Sequence, residues 1–146
     1  AAGVRSRGRL AMSVMLDTSV LIRLREPRVR ARVESLALAR EAHVCAVTSL
    51  EVGFSARNAQ EFDELHAHLR EFEQSLITPG DFDSALLTQR SLADRGHRGR
   101  KIPDLLIAAV AQRRGLTVLH YDRDFDLIAE CTGQPTEWVI ARGEID

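Results

Sequence analysis

Lysine is almost missing from this chain: Lys101 is the only one, and every other basic side chain is arginine. The bias matches a GC-rich coding sequence. It also suits phosphate binding, because a guanidinium group holds phosphate oxygens in pairs. An excess of positive charge is missing too. The net charge of −1 over 146 residues excludes a uniformly basic nucleic-acid binder. The two cysteines, Cys45 and Cys131, form no CxxC pair. Cys45 lies in an apolar run and reads as a buried small hydrophobe, nothing demands a disulfide, and a reducing cytoplasm is the expected compartment. No apolar run is long enough to span a bilayer. The five histidines have no metal-ligand spacing, and His66 and His68 are too close in sequence to share a helix face. Residues 1–11 carry Arg5, Arg7 and Arg9 without the apolar core of a signal peptide. They read as an irregular extension or an expression remnant, with the domain at 12–146.

What is present is an alternation of short apolar strands and amphipathic helices. Strands are expected at Val14–Leu16, His43–Val47, Leu76–Thr78, Thr117–His120 and Glu137–Ile140. Helices are expected at Thr18–Leu24, Pro27–Glu41, Thr48–Arg57, Asn58–Phe72, Asp81–Asp94, Pro103–Arg114 and Arg123–Glu130. Phe62, Leu65, Leu69 and Phe72 make one apolar stripe; Phe82, Ala85, Leu86 and Leu92 make another. The alternation predicts one α/β domain with a mainly parallel sheet, and there is no repeat or low-complexity tract.

Acids recur at the strand-to-helix transitions. Asp17 ends the first strand, at the carboxyl edge where open parallel sheets bind ligands. Glu51 closes the stretch Thr48-Ser49-Leu50-Glu51, Asp104 opens an apolar helix, and Asp122 and Asp124 follow the fourth strand. Each has a plain alternative. Asp17 and Asp122 suit helix N-caps. Thr48 and Glu51 have capping-box spacing, the likelier role for Glu51 taken alone. Asp104 complements a helix dipole, although the helix it opens is apolar nearly all round, so a carboxylate at its buried end needs a partner. The conjunction argues for more than capping. Carboxylates gathered at one sheet edge repel one another and titrate upward unless a cation neutralises them. An all-oxygen donor set suits Mg²⁺ or Mn²⁺ and does not suit zinc. The glycine-punctuated loop from Arg95 to Lys101 just before Asp104 supplies Arg98, Arg100 and Lys101 as candidate phosphate contacts.

The segments Leu16-Asp17-Thr18-Ser19-Val20-Leu21, Thr48-Ser49-Leu50-Glu51-Val52, Ile102-Pro103-Asp104-Leu105-Leu106-Ile107-Ala108 and Tyr121-Asp122-Arg123-Asp124-Phe125, in this order and spacing, resemble the PIN-domain nucleases of the VapC toxin class. The resemblance spans nearly all of 12–140. It implies a three-layer α/β/α fold with a five-stranded parallel sheet of order 3-2-1-4-5. It implies a metal-dependent endoribonuclease toxin, inhibited by a small antitoxin, with homodimers favoured. Asp17, Glu51, Asp104 and Asp122 match the acidic quartet, and Asp124 matches an accessory acid. Thr18 and Ser19 match the hydroxyl pair that orients the first carboxylate or contacts phosphate. The acids would hold one or two ions, and in-line hydrolysis would leave a 5′-phosphate and a 3′-hydroxyl. Two other readings compete. One is a non-catalytic PIN-like module that holds RNA or protein without cleaving. The other is a haloacid-dehalogenase-like phosphatase, which wants an aspartate where Ser19 stands.

Overall fold

The computed structural model describes residues 13–97, 99 and 101–146. The expectations for residues 1–11 and the proposed contacts of Arg98 and Arg100 lie outside the described residues. The sheet has five parallel strands: β1 (Val14–Leu16), β2 (Ala42–Val44), β3 (Glu73–Gln74), β4 (Thr117–His120) and β5 (Thr136–Trp138). Their order is β3-β2-β1-β4-β5, as the resemblance implies. The register places Val14 beside both Ala42 and Thr117, so β1 is the central strand. Seven helices surround the sheet among the described residues: α1 (Thr18–Leu21), α2 (Pro27–Leu38), α3 (Ala46–Phe54), α4 (Ala59–Leu69), α5 (Pro79–Asp94), α6 (Ile102–Arg114) and α7 (Asp124–Thr132). None is long and apolar enough to cross a membrane.

Strand residues alternate between two cores, as a period of two requires. Met15 and Val118 face one core with Leu92 of α5, Ile107 and Val110 of α6, and Phe125 and Ile128 of α7. Val14, Leu16 and Leu119 face the other with Val20 of α1, Val29 and Val33 of α2, and Leu69 of α4. The result is three layers. The apolar run predicted to be buried is so: Asp104 through Ala111 are all shielded from solvent. Gly115 ends α6 in the left-handed region at φ 68°, which a residue with a Cβ resists, and turns the chain into β4. Because α6 feeds β4 through that tight turn, it runs opposite to the strand. Its N-terminus, with Asp104, therefore returns to the carboxyl edge of the sheet.

Several boundaries differ from the sequence reading. Helix α1 ends at Leu21 rather than Leu24, α2 ends at Leu38 rather than Glu41, and β5 spans Thr136–Trp138 rather than Glu137–Ile140. β2 stops at Val44, and α3 begins at Ala46, inside the apolar run read as strand. β3 lies at Glu73–Gln74 rather than Leu76–Thr78. Helix α5 begins at Pro79, two residues before the expected Asp81. The stripes differ too. Leu69 and Phe72 are buried, whereas Phe62 is partly exposed; Ala85 and Leu92 are buried, whereas Phe82 and Leu86 face solvent.

Candidate active site

Strands β1 and β4 are neighbours at which the strand order reverses, the place where open α/β sheets present ligand sites. Asp17 follows β1 there and caps α1: its Oδ2 accepts from the Ser19 amide at 3.0 Å and from the Ser19 hydroxyl at 2.5 Å. That hydroxyl in turn accepts from the Tyr121 amide at 2.8 Å, tying Asp17 to the loop that carries Asp122. So the capping reading of Asp17 holds, but for one oxygen only. Oδ1 is buried and has no hydrogen-bond partner among the described residues. Burial, first, with the charges of Glu51 and Asp122, pushes this carboxyl above its ordinary range despite the Ser19 hydrogen bonds.

Asp104 is in the first turn of α6 and is 2% exposed. Its Oδ2 is likewise buried without a hydrogen-bond partner. Burial and then the charge of Asp17 drive its pKa up to about 8, against the pull of Lys101. Asp122 is better provided. Its Oδ1 accepts from the Asp124 amide at 2.9 Å, and its Oδ2 accepts from the Lys101 ammonium at 2.7 Å. Burial pushes Asp122 upward, but the Lys101 and Asp124 contacts outweigh it and hold the carboxyl below the usual range. Carboxylate oxygens of Asp104, Asp122 and Asp124 lie within 4.8 Å of one another.

Glu51 sits in the second turn of α3, because the helix is capped at Cys45 rather than Thr48. The capping-box reading of Glu51 therefore fails. Its Oε1 accepts instead from the Thr18 hydroxyl at 2.7 Å, across 33 residues of sequence. Thr18 and Ser19 thus each hold an acid of the cluster. Lys101, expected at phosphate, lies against Asp122 and 3.8 Å from Asp104 Oδ2.

The sequence reading found no metal-ligand spacing around His120. It is completely buried, and its Nδ1 accepts from the Asp122 amide at 3.1 Å. That bond puts the ring proton on Nε2. The ring packs 5.1 Å from Phe125 and 5.0 Å from Trp138, and burial lowers its pKa to about 4, so the imidazole is neutral. The available signal was its place: the last residue of an apolar strand, two before an acid.

The donor set fits a hard divalent cation. All donors are carboxylate oxygens, and two of them, Asp17 Oδ1 and Asp104 Oδ2, are sealed from water without a hydrogen. Such atoms are costly to leave unpaired. The cluster has no cysteine or histidine ligand that would favour zinc.

The PIN domain family model matches residues 14–130. Ribonuclease VapC51 of Mycobacterium tuberculosis (strain ATCC 25618 / H37Rv) is 51% identical over 137 residues, covering 94% of this chain and all of the relative. Ribonuclease VapC21 of the same strain is 43% identical over 131 residues, covering 88% of this chain and 95% of the relative. The crystal structure of DNA-bound VapBC from Salmonella typhimurium superposes with a TM-score of 0.71 at 18% identity, covering 88% of this chain and 99% of that one, a likeness of fold. With its sheet order, its edge of gathered acids and these relatives, the chain belongs to the PIN-domain family, among the VapC ribonucleases.

Proposed function

We propose that this chain is a divalent-metal-dependent endoribonuclease toxin, in which Asp17, Glu51, Asp104 and Asp122, with Asp124, hold Mg²⁺ or Mn²⁺. One observation carries the reading: among the described residues, two sealed carboxylate oxygens, on Asp17 and Asp104, lack a hydrogen-bond donor beside other acids. A divalent ion bound there supplies hydroxide near neutral pH and charge stabilisation at the leaving oxygen. The chain's own residues do the positioning. Ser19 fixes Asp17 and Thr18 fixes Glu51. The Asp124 amide fixes one oxygen of Asp122, and neutral His120 fixes the backbone that carries it. With their hydroxyls engaged on acids, Thr18 and Ser19 serve orientation in preference to phosphate contact. Phosphate contact falls to Arg98 and Arg100 of the loop, and to Lys101 only once its ammonium leaves Asp122.

The same reading includes an antitoxin. A groove of about 360 Å³ between α1, α3 and α4 is lined by Leu21, Leu24, Val52, Leu65 and Leu69, with Glu51 at its rim. An amphipathic helix fits such a groove and would lie beside the acids. It also includes a homodimer through the exposed apolar face of α5 and α6, and action in the cytoplasm, where RNA is available. Of the two other readings, the binding module has no observation in its favour, and the residue two beyond Asp17 is a serine committed to holding it.

The test is cleavage of single-stranded RNA with Mn²⁺, with EDTA, and with Asp17→Asn and Asp104→Asn. Chelation should abolish cleavage. Each variant should lose at least ~100-fold, since even residues that only orient metal ligands are worth ~10–100-fold. Cleavage that survives EDTA, or full activity in both variants, would overturn the reading.

A further inference from the structure

The acids are not equally without a counter-charge. Among the described residues, Asp17 Oδ1 and Asp104 Oδ2 have no hydrogen-bond partner, yet Asp122 receives the ammonium of Lys101 at 2.7 Å. The same ammonium lies 3.8 Å from Asp104 Oδ2, so it stands between two members of the cluster whose oxygens come within 4.8 Å of each other. An ammonium in that position occupies the coordination space of Asp122 Oδ2. A divalent ion bound at that oxygen meets a like charge at contact distance, so the ammonium opposes its binding and gains by moving away. The partners also differ in freedom. The Asp104 side chain is 4% exposed and fixed in the first turn of a buried helix; Lys101 is 57% exposed, on a long flexible stem at the end of a loop. When a divalent ion binds, the lysine is the group that can leave.

We propose that Lys101 is a resident counter-ion of the site, holding Asp122 and Asp104 together while no divalent ion is bound and leaving them when one binds. This rests on the nuclease reading above. It makes Lys101 a positioning residue for the acids of the metal-free protein and a competitor of the metal. The displaced ammonium remains at the mouth of the site, adjoining the loop proposed to contact phosphate. A lysine suits this role better than an arginine, because a point charge on a mobile stem exchanges readily where a bidentate fork would hold fast. That the chain's only lysine stands at this position makes it directly observable.

Two measurements on the full chain test it. The first is Mn²⁺ binding by calorimetry, comparing wild type, Lys101→Met and Arg95→Gln. Arg95 removes a positive charge from the same loop but donates to the Glu130 carbonyl, away from the acids. Lys101→Met should bind Mn²⁺ about tenfold more tightly, as expected when a charge-assisted hydrogen bond no longer competes. Arg95→Gln should stay near wild type. Unchanged or weaker binding by Lys101→Met, or equal tightening in both variants, overturns the proposal. The second uses wild type alone and so does not depend on a variant folding. The rate of Lys101 acetylation, followed by mass spectrometry at fixed pH, should rise severalfold as Mg²⁺ saturates the site. A rate that is unchanged or falls while Mg²⁺ binds overturns the proposal and leaves the nuclease reading standing. Failure of wild type to bind either ion sinks both.

Discussion

Asp104 is a carboxylic acid in a place that disfavours its charge. Burial and the neighbouring Asp17 raise its pKa from an ordinary 3.8 to about 8. Through that window the metal-free folded state keeps a proton that the unfolded chain releases, so stability falls as pH rises. His120 has the opposite sign. Burial lowers it from 6.5 to about 4, so its stabilising contribution is present above pH 6.5 and lost as pH falls toward 4. The two oppose each other at lower pH. Between pH 6.5 and 8 the slope belongs to Asp104. In EDTA, the Tm should therefore fall from pH 6.5 to 8, and Asp104→Asn should flatten the decline. Saturating Mn²⁺ should remove it by favouring the ionised acids. A flat wild-type profile in EDTA would contradict the raised Asp104. Ser19→Ala tests the other end of the cluster. It removes one hydroxyl that serves both Asp17 and the Tyr121 amide, and should weaken Mn²⁺ binding by ~10–100-fold with the fold intact. At this scale the sequence pointed to Asp104, Asp122 and Asp124, whose oxygens gather, because each follows a strand or opens a buried helix. It was uninformative about what holds them. The Thr18–Glu51 bond and the Lys101–Asp122 pair join residues far apart in the chain, and no local pattern encodes them.

Between elements, the telling contact is a clamp from α6 to the start of α5. Arg113 Nε donates to Asp81 Oδ1 at 2.9 Å, and its Nη2 donates to Asp81 Oδ2 at 3.1 Å and to the Leu76 carbonyl at 2.6 Å. Asp81 is 1% exposed and also accepts from the Thr78 amide at 2.8 Å. Burial pushes Asp81 upward, but Arg113 and Thr78 overcome it and hold the carboxyl below its ordinary range. Arg113→Met leaves that carboxylate sealed with one donor. It should lower the denaturant midpoint measurably, because the Asp81 carboxylate stays buried without its main donor. An unchanged midpoint would class the clamp with ordinary surface pairs. The clamp also explains why the third strand was misplaced. Leu76, Ile77 and Thr78 are apolar and β-prone, but Leu76 is 77% exposed and its carbonyl is taken by Arg113. The pairing with β2 falls earlier, at Glu73–Gln74, polar residues that look like a loop. The same competition moved α3. Cys45 to Val47 read as strand from side-chain character, yet β2 ends at Val44 and the chain turns into helix at once.

For the molecule as a whole, the fold class and strand order were readable because each strand is followed by one or two helices before the next strand, and the acid-bearing segments kept their order. The outer surface was not. Helix α5 has apolar residues on more than one side, and grouping Phe82, Ala85, Leu86 and Leu92 in one inward stripe was wrong for Phe82 and Leu86. Ala85 and Leu92 are inside; Phe82 and Leu86 are 52% and 61% exposed, beside Ile102 of α6 at 63%. These line a shallow groove with Leu105 and Leu106 on the face opposite α1, α2 and α4. A contiguous apolar patch at one helix pair marks an interface more often than a bare surface. A second copy is the occupant proposed here, since an isologous interface buries the same patch on both subunits. Sedimentation at micromolar concentration should give a dimer for wild type. Leu86→Glu should give a monomer with an unchanged circular dichroism spectrum, because the substituted side chain is outside the core. The variant should still bind Mn²⁺ as wild type does, the acids lying at the sheet edge and drawing on no residue of α5. A wild-type monomer at those concentrations, or a dimer that tolerates the buried charge of Leu86→Glu, would assign this face to something other than self-association.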